Sequence, residues 1–130
     1  PEVSPLNQSF SRFKSGGAYA LDDEQNSVVY AGIHRDPGDM VIKKRRVSAF
    51  SGSDLEVVLR AGGIREVVMA GIATGGVVLS TLREAADRDD RITVLEDGCY
   101  DRDPEIHRVL SEKVFPRQAT VLSVAAWVAA

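Results

Sequence analysis

The stretch GIATGGVVLST, residues 71–81, has the form of a strand-to-helix turn, a place where α/β enzymes often hold a nucleophile. An apolar run, Val67-Val68-Met69-Ala70, leads into it, a helical pattern leads out, and Gly75-Gly76 lies between. Acyl transfer at such a turn needs a thiol or an activated hydroxyl. No cysteine stands here, and the hydroxyls of Thr74 and Ser80 flank the apolar pair Val77-Val78. No partnered base is evident for Thr74, so its hydroxyl is expected to bond the backbone of the turn. Ser80 and Thr81 fall inside the expected helix. Gly75-Gly76 either simply closes the turn or lets a ligand approach the backbone. It is not a phosphate loop, because the Lys-Ser/Thr pair is missing.

Other side chains suited to chemistry are scattered. Lys44 sits in the basic run Lys43-Lys44-Arg45-Arg46 at the end of a strand-like stretch. By residue type alone it is a solvated charge. Alternation along a strand sends Lys43 to the opposite face. Cys99 is the only thiol. It follows a strand and is not at a helix N-terminus that would lower its pKa, so it reads as a partly buried structural thiol. Two histidines and one cysteine far apart give no zinc spacing; neither a metal nor a cofactor is expected. His107 reads as a solvated or capping residue. Asp97 is expected to bond neighbouring backbone amides. Asp101-Arg102-Asp103 reads as a solvated loop, with Asp103 the helix cap.

The 130 residues, 44% hydrophobic and 27% charged, fit one ordinary globular domain spanning residues 1–130. A formal net charge of −3 offers no clustered basic footprint for nucleic acid. No stretch approaches the length of a membrane span, and no signal-peptide pattern opens the chain. A lone cysteine fits a reducing compartment, so a cytoplasmic protein is expected. The opening, PEVSPLNQSFSRFKSGG, lacks Met and is polar and irregular. It reads as the interior of a protein, either processed or a fragment.

The elements that position these residues follow from periodicity. Phe10 and Phe13 suit a short helical turn, Ser27–Ile33 a short strand or irregular segment, and Pro37-Gly38-Asp39 a turn. Met40–Lys44 reads as a strand. Ser53-Asp54-Leu55-Glu56 matches a capping box, and Gly62-Gly63 stops the helix that follows. Val67–Gly71 reads as a buried strand, Val77–Asp87 as a helix, and Ile92–Leu95 as a strand. A helix begins at Asp103-Pro104. Ala119–Val124 is a further strand, and Ala125–Ala130 closes as a helical turn. This alternation predicts an α/β fold with a parallel sheet covered on both faces. Sites in such sheets lie beyond the carboxyl ends of the strands, where Gly71–Gly76 and Asp97–Asp103 fall.

Three stretches in this order resemble the isochorismatase-like, or cysteine hydrolase, superfamily. They are Lys44-Arg45-Arg46-Val47-Ser48-Ala49-Phe50 with Gly52-Ser53-Asp54-Leu55 and Leu59-Arg60, then Gly71-Ile72-Ala73-Thr74, then Thr93-Val94-Leu95-Glu96-Asp97-Gly98-Cys99. The resemblance covers roughly residues 38–127. It implies a Rossmann-like three-layer α-β-α fold with a six-stranded, mainly parallel sheet. It also implies that the family's first two strands are missing from this chain. Without the central first strand, the 130 residues alone are not expected to form a stable monomer. Most members hydrolyse C–N bonds with an Asp–Lys–Cys triad. By the resemblance, Lys44 matches the catalytic lysine, Val77 stands where the nucleophilic cysteine would, and the aspartate precedes residue 1. The Ala73 and Val77 amides match the family's oxyanion donors, and Ile72–Ala73 is expected to be a cis peptide. Phe50, Ile72, Thr74, Gly75 and Gly76 are expected around the pocket; Phe50 equally suits core packing. Members are commonly oligomers, so a homo-oligomer is expected, with Val124, Trp127 and Val128 in the core or a subunit contact.

A valine has no nucleophilic atom. A Cys-less branch of the family cleaves vinyl ethers, a reaction that needs a proton donor and water but no thiol. The expected function is therefore an isochorismatase-like hydrolase acting on a small, anionic molecule by acid-base hydrolysis without a cysteine nucleophile. The alternatives are a catalytically inactive member serving as a binding or assembly protein, and an unrelated doubly wound domain that binds a small ligand.

Overall fold

The computed structural model describes residues 4–15, 29 and 31–130. The chain divides into two compact units, Pro1–Val41 and Ile42–Ala130. In the first, helix α1 (Gln8–Ser15) starts where the Asn7 side chain accepts from the Phe10 amide at 3.1 Å. The expected Pro37-Gly38 turn is closed by the Asp39 amide on the Asp36 carbonyl at 3.0 Å and the Asp36 amide on Asp39 Oδ2 at 2.9 Å. Of the Ser27–Ile33 segment, residues 27, 28 and 30 lie outside the described residues, and 31–33 form a turn and bend.

The second unit carries the sheet. Strands β1 (Glu66–Ile72), β2 (Arg91–Tyr100) and β3 (Thr120–Leu122) are all parallel, in the order β1-β2-β3. Helix α2 (Leu55–Ala61) precedes β1, and α3 (Leu79–Ala86) joins β1 to β2. Helix α4 (Pro104–Val109) continues through a π turn, Leu110–Val114, and a 3-10 turn, Phe115–Arg117, into β3. Helix α5 (Val124–Val128) follows β3. Val94 and Leu95 are neighbours pointing to opposite faces of β2, and both are buried. β2 is therefore covered on both sides, whereas β1, expected as a buried strand, leaves Val68 and Ile72 exposed on one face and has no fully buried residue. Leu82, Ala85, Ile92, Val94, Leu110 and Phe115 form the centre of the core.

Helix boundaries follow local chemistry. Asp103 Oδ1 accepts from the Glu105 amide at 2.9 Å with Pro104 at the first position, the expected cap of α4. Gly62 ends α2, and Gly63 takes φ 65°, a left-handed conformation that glycine adopts freely.

Several expectations are corrected. Met40–Lys44 is not a strand: no neighbouring strand among the described residues offers it a ladder, and extended backbone without one is only a loop. The capping box does not form. Ser53 Oγ donates to the Ala49 carbonyl and accepts from the Leu55 amide at 3.2 Å, while Glu56 turns away to Arg88. The helix expected from Val77 begins as a π turn, Thr74–Val78, before α3 proper. β2 runs past Leu95 to Tyr100, with a register shift opposite Ala70. Trp127 is 45% exposed rather than in the core of this chain.

Candidate functional site

The carboxyl ends of β1 and β2 lie side by side, Gly71 against Cys99 and Ile72 against Tyr100. From β1 the chain passes through a cis Ile72–Ala73 peptide, as the resemblance implied. It then folds around the Ala73 carbonyl, which accepts from the Gly76 amide at 3.1 Å and the Val78 amide at 3.2 Å. That wrap fixes which side chains face in. Val78 is buried in the core at 3% exposure, whereas Val77 is only half-buried.

Two residues from the β2–α4 segment hold this turn. Gly75 donates its amide to Asp101 Oδ2 at 2.7 Å, and Thr74 Oγ1 meets His107 Nδ1 at 2.9 Å. The Gly75 amide, then the Asp103 amide, keep the Asp101 carboxyl below the usual carboxylate range. Three sequence readings are thereby corrected. Thr74 does not bond the turn backbone but a histidine; its side chain is fully buried and does not line an open surface. His107 is not merely solvated, and Asp101 is not a free loop residue. These partners are 33 and 26 residues away from the turn, so no local pattern announces them.

Helix α4 presses closely on the turn. A Cβ on Gly75 would lie 2.8 Å from Ile106 Cγ2 and 3.2 Å from Asp101 Oδ2, whereas one on Gly76 would meet nothing nearer than Ala73 Cβ at 4.0 Å. Gly75→Ala is therefore expected to cost about 1–3 kcal/mol of stability through overpacking, read as a lower urea midpoint. Gly76→Ala is expected to leave that midpoint much closer to wild type. Equal losses would contradict the packing argument.

An isochorismatase domain profile matches residues 5–126. The chain belongs to the isochorismatase family. It is 39% identical over 92 residues to a ureidoacrylate amidohydrolase RutB from Azorhizobium caulinodans, covering 71% of this chain and 37% of that protein. A RutB from Agrobacterium fabrum is 36% identical over 106 residues, 82% of this chain and 39% of the relative. Among solved structures, an isochorismatase family protein from Burkholderia thailandensis superposes with a TM-score of 0.68 at 34% identity, over 70% of this chain and 48% of that one. N-carbamoylsarcosine amidase from Thermoplasma acidophilum gives 0.71 at 31%, over 86% and 64%. The chain spans about a third to two-fifths of the length of these two curated relatives.

Within this isochorismatase-family domain, Lys44 is exposed and its Nζ donates to the Arg46 carbonyl at 2.7 Å. Protein packed around the ammonium lowers its pKa by desolvation. No carboxylate partners it among the described residues. The segment that follows is pinned to α3. The Ala49 amide donates to Thr81 Oγ1 at 3.0 Å, and Ser51 Oγ donates to Glu84 Oε2 at 3.2 Å. Burial alone would raise the Glu84 carboxyl, but a Ser48 hydrogen bond, the Arg88 charge and the Ser51 hydrogen bond outweigh it, and the pKa falls. Arg88 also pairs with Glu56 at 2.7 Å and stacks over the Phe50 ring at 4.6 Å. Phe50, expected around the pocket, is thus a core side chain, 5% exposed beneath Arg88. Ile72 is 71% exposed at the end of β1, and Gly76 is half-buried. Asp97 Oδ1 accepts from the Val124 amide at 2.8 Å, as expected of a strand-end aspartate. Cys99 is buried, and burial pushes its thiol pKa up, opposite to a nucleophile's need. No helix among the described residues is long and apolar enough to cross a membrane.

Proposed function

We propose that this isochorismatase-family protein is a hydrolase of a small anionic molecule that works by acid-base chemistry without a cysteine nucleophile. The observation that carries this reading is Val77. It replaces the nucleophile by family resemblance, yet it stays half-buried at the turn while Val78 fills the core. It is a wall, not a plug. Lys44 supplies positive charge, the Ala73 and Val77 amides face the developing oxyanion, and Ile72, Gly75 and Gly76 shape the surrounding backbone. Thr74 contributes through the turn's backbone.

The proton donor in this reading is a carboxylic acid held near Lys44 in the full-length protein. In vinyl-ether hydrolysis the acid protonates the vinyl carbon, water adds to the resulting oxocarbenium carbon, and the hemiketal collapses to a carbonyl compound and an alcohol. The anionic substrate is matched by the run Lys43-Lys44-Arg45-Arg46. The protein is read as a cytoplasmic homo-oligomer built on one domain of this family.

The test is turnover by the full-length protein on a panel of anionic vinyl ethers, N-carbamoyl compounds and small amides. Hydrolysis of at least one class is expected, with Cys99→Ser retaining activity within about twofold, because a raised thiol pKa leaves little thiolate at neutral pH. Loss of turnover in Cys99→Ser would overturn the thiol-free mechanism. An untouched panel would leave the fold serving in binding or assembly.

A further inference from the structure

We infer that Asp101 and His107 are positioning residues that set the geometry of the Thr74–Val78 turn, an inference that rests on the oxyanion role just proposed for that turn. The turn has three hydrogen-bonded ties and one steric partner. Its own wrap around the Ala73 carbonyl is local. The other two come from a different part of the chain: the Asp101 carboxylate on the Gly75 amide, and the His107 imidazole on the Thr74 hydroxyl. The steric partner is Ile106, packed where a Gly75 side chain would be. Thr74 and Gly75 stand between Ala73 and Val77, the two residues whose amides must converge on one oxygen. Holding two of the three intermediate residues, from Asp101 just before α4 and from His107 within it, fixes the separation and tilt of the flanking amides.

The Asp101 tie is not explained by stability alone, whereas the His107 tie also satisfies a buried hydroxyl. The Asp101 bond lies at the exposed surface, where a single hydrogen bond contributes little. The Thr74–His107 pair joins a fully buried hydroxyl to a half-buried ring. His107 is also four residues past the α4 cap Asp103, so the helix start and the turn share one anchor. Oxyanion donors act through preorganisation, and small misplacements are felt in rate before they are felt in binding.

The experiment compares full-length wild type with Asp101→Ala and His107→Leu, and with the restoring variants Asp101→Asn and His107→Asn. Asparagine keeps an acceptor oxygen at position 101, and at 107 its amide presents either a donor or an acceptor to Thr74. The first readout needs no substrate: hydrogen exchange at the Gly76 and Val78 amides, with Val94 in β2 reporting global opening. Exchange at Gly76 and Val78 is expected to rise about tenfold in the Ala and Leu variants with Val94 unmoved, and to return toward wild type in both Asn variants. Unmoved exchange, or exchange that rises equally at Val94, overturns the inference. The second readout is steady-state kinetics on any panel substrate turned over. There kcat is expected to fall about tenfold or more while KM changes less than about twofold. A fall confined to KM also overturns it. A silent wild type on the panel defeats the hydrolase reading, while the exchange data still decide whether Asp101 and His107 position the turn.

Discussion

Replacing Lys44 by methionine in the full-length protein is expected to lower kcat/KM by about 10²–10³-fold, the loss typical of removing one electrostatic stabiliser from an active site. Methionine keeps the length and apolar stem of lysine and deletes only the charge. Lys44 already carries a sign of its environment: desolvation makes its ammonium easier to lose than that of an ordinary lysine. The charged form is the one the mechanism needs. Activity should therefore fall as pH rises through the folded pKa, and the alkaline limb should lie below the ordinary lysine range of about 10.4. Lys44→Arg restores charge but as a broad planar fork and should recover only part of the rate. A variant within about twofold of wild type would remove Lys44 from the mechanism.

Phe115→Ala is expected to cost about 3–5 kcal/mol of folding free energy. Phe115 is fully buried where the π turn hands over to the 3-10 turn, in one cluster with Leu82, Val94 and Leu110. Truncation leaves a cavity lined by residues from three elements, and the close fit of helix and sheet leaves little room to collapse. Urea denaturation should show a lower midpoint at an unchanged slope. A loss below about 1 kcal/mol would mean that the core reorganises around the gap.

Local patterns made much of this domain legible. A continuous apolar run marked β1, helical spacing marked α3, and Asp103-Pro104 marked the start of α4. The motifs around Lys44, Gly71 and Asp97 marked the family. What stayed hidden depended on distant partners. Met40–Lys44 has strand-like residues, but a strand exists only against a neighbour. Ser53 and Glu56 are spaced for a capping box, but the Ala49 carbonyl and Arg88 compete for them and win. β2 continues through Glu96-Asp97-Gly98, which have no apolar pattern because all three are exposed. Phe50 suited both a rim and a core, and only the stacked Arg88 decides between them. At the turn, the cis peptide followed from the family motif, whereas the holds from Asp101 and His107 had no sequence signal at all.

The shift in β2 has a consequence for how the chain tolerates changes of length. Between the Met69–Val94 and Gly71–Cys99 pairs, Ala70 alone stands opposite Leu95, Glu96, Asp97 and Gly98. Gly98 sits tightly there, since a Cβ would come within 3.1 Å of Ala70 Cβ. Beyond the shift, Cys99 points inward and Tyr100 outward. From Val94 to Cys99 the chain advances five residues while β1 advances two, an odd excess of three, so the excursion has already broken the two-residue alternation. The phase of Cys99, Tyr100 and the Asp101 that follows is thereby uncoupled from that of Arg91–Val94. A change of length here is absorbed in unpaired backbone, whereas one inside the Glu66–Met69 ladder displaces every pair beyond it.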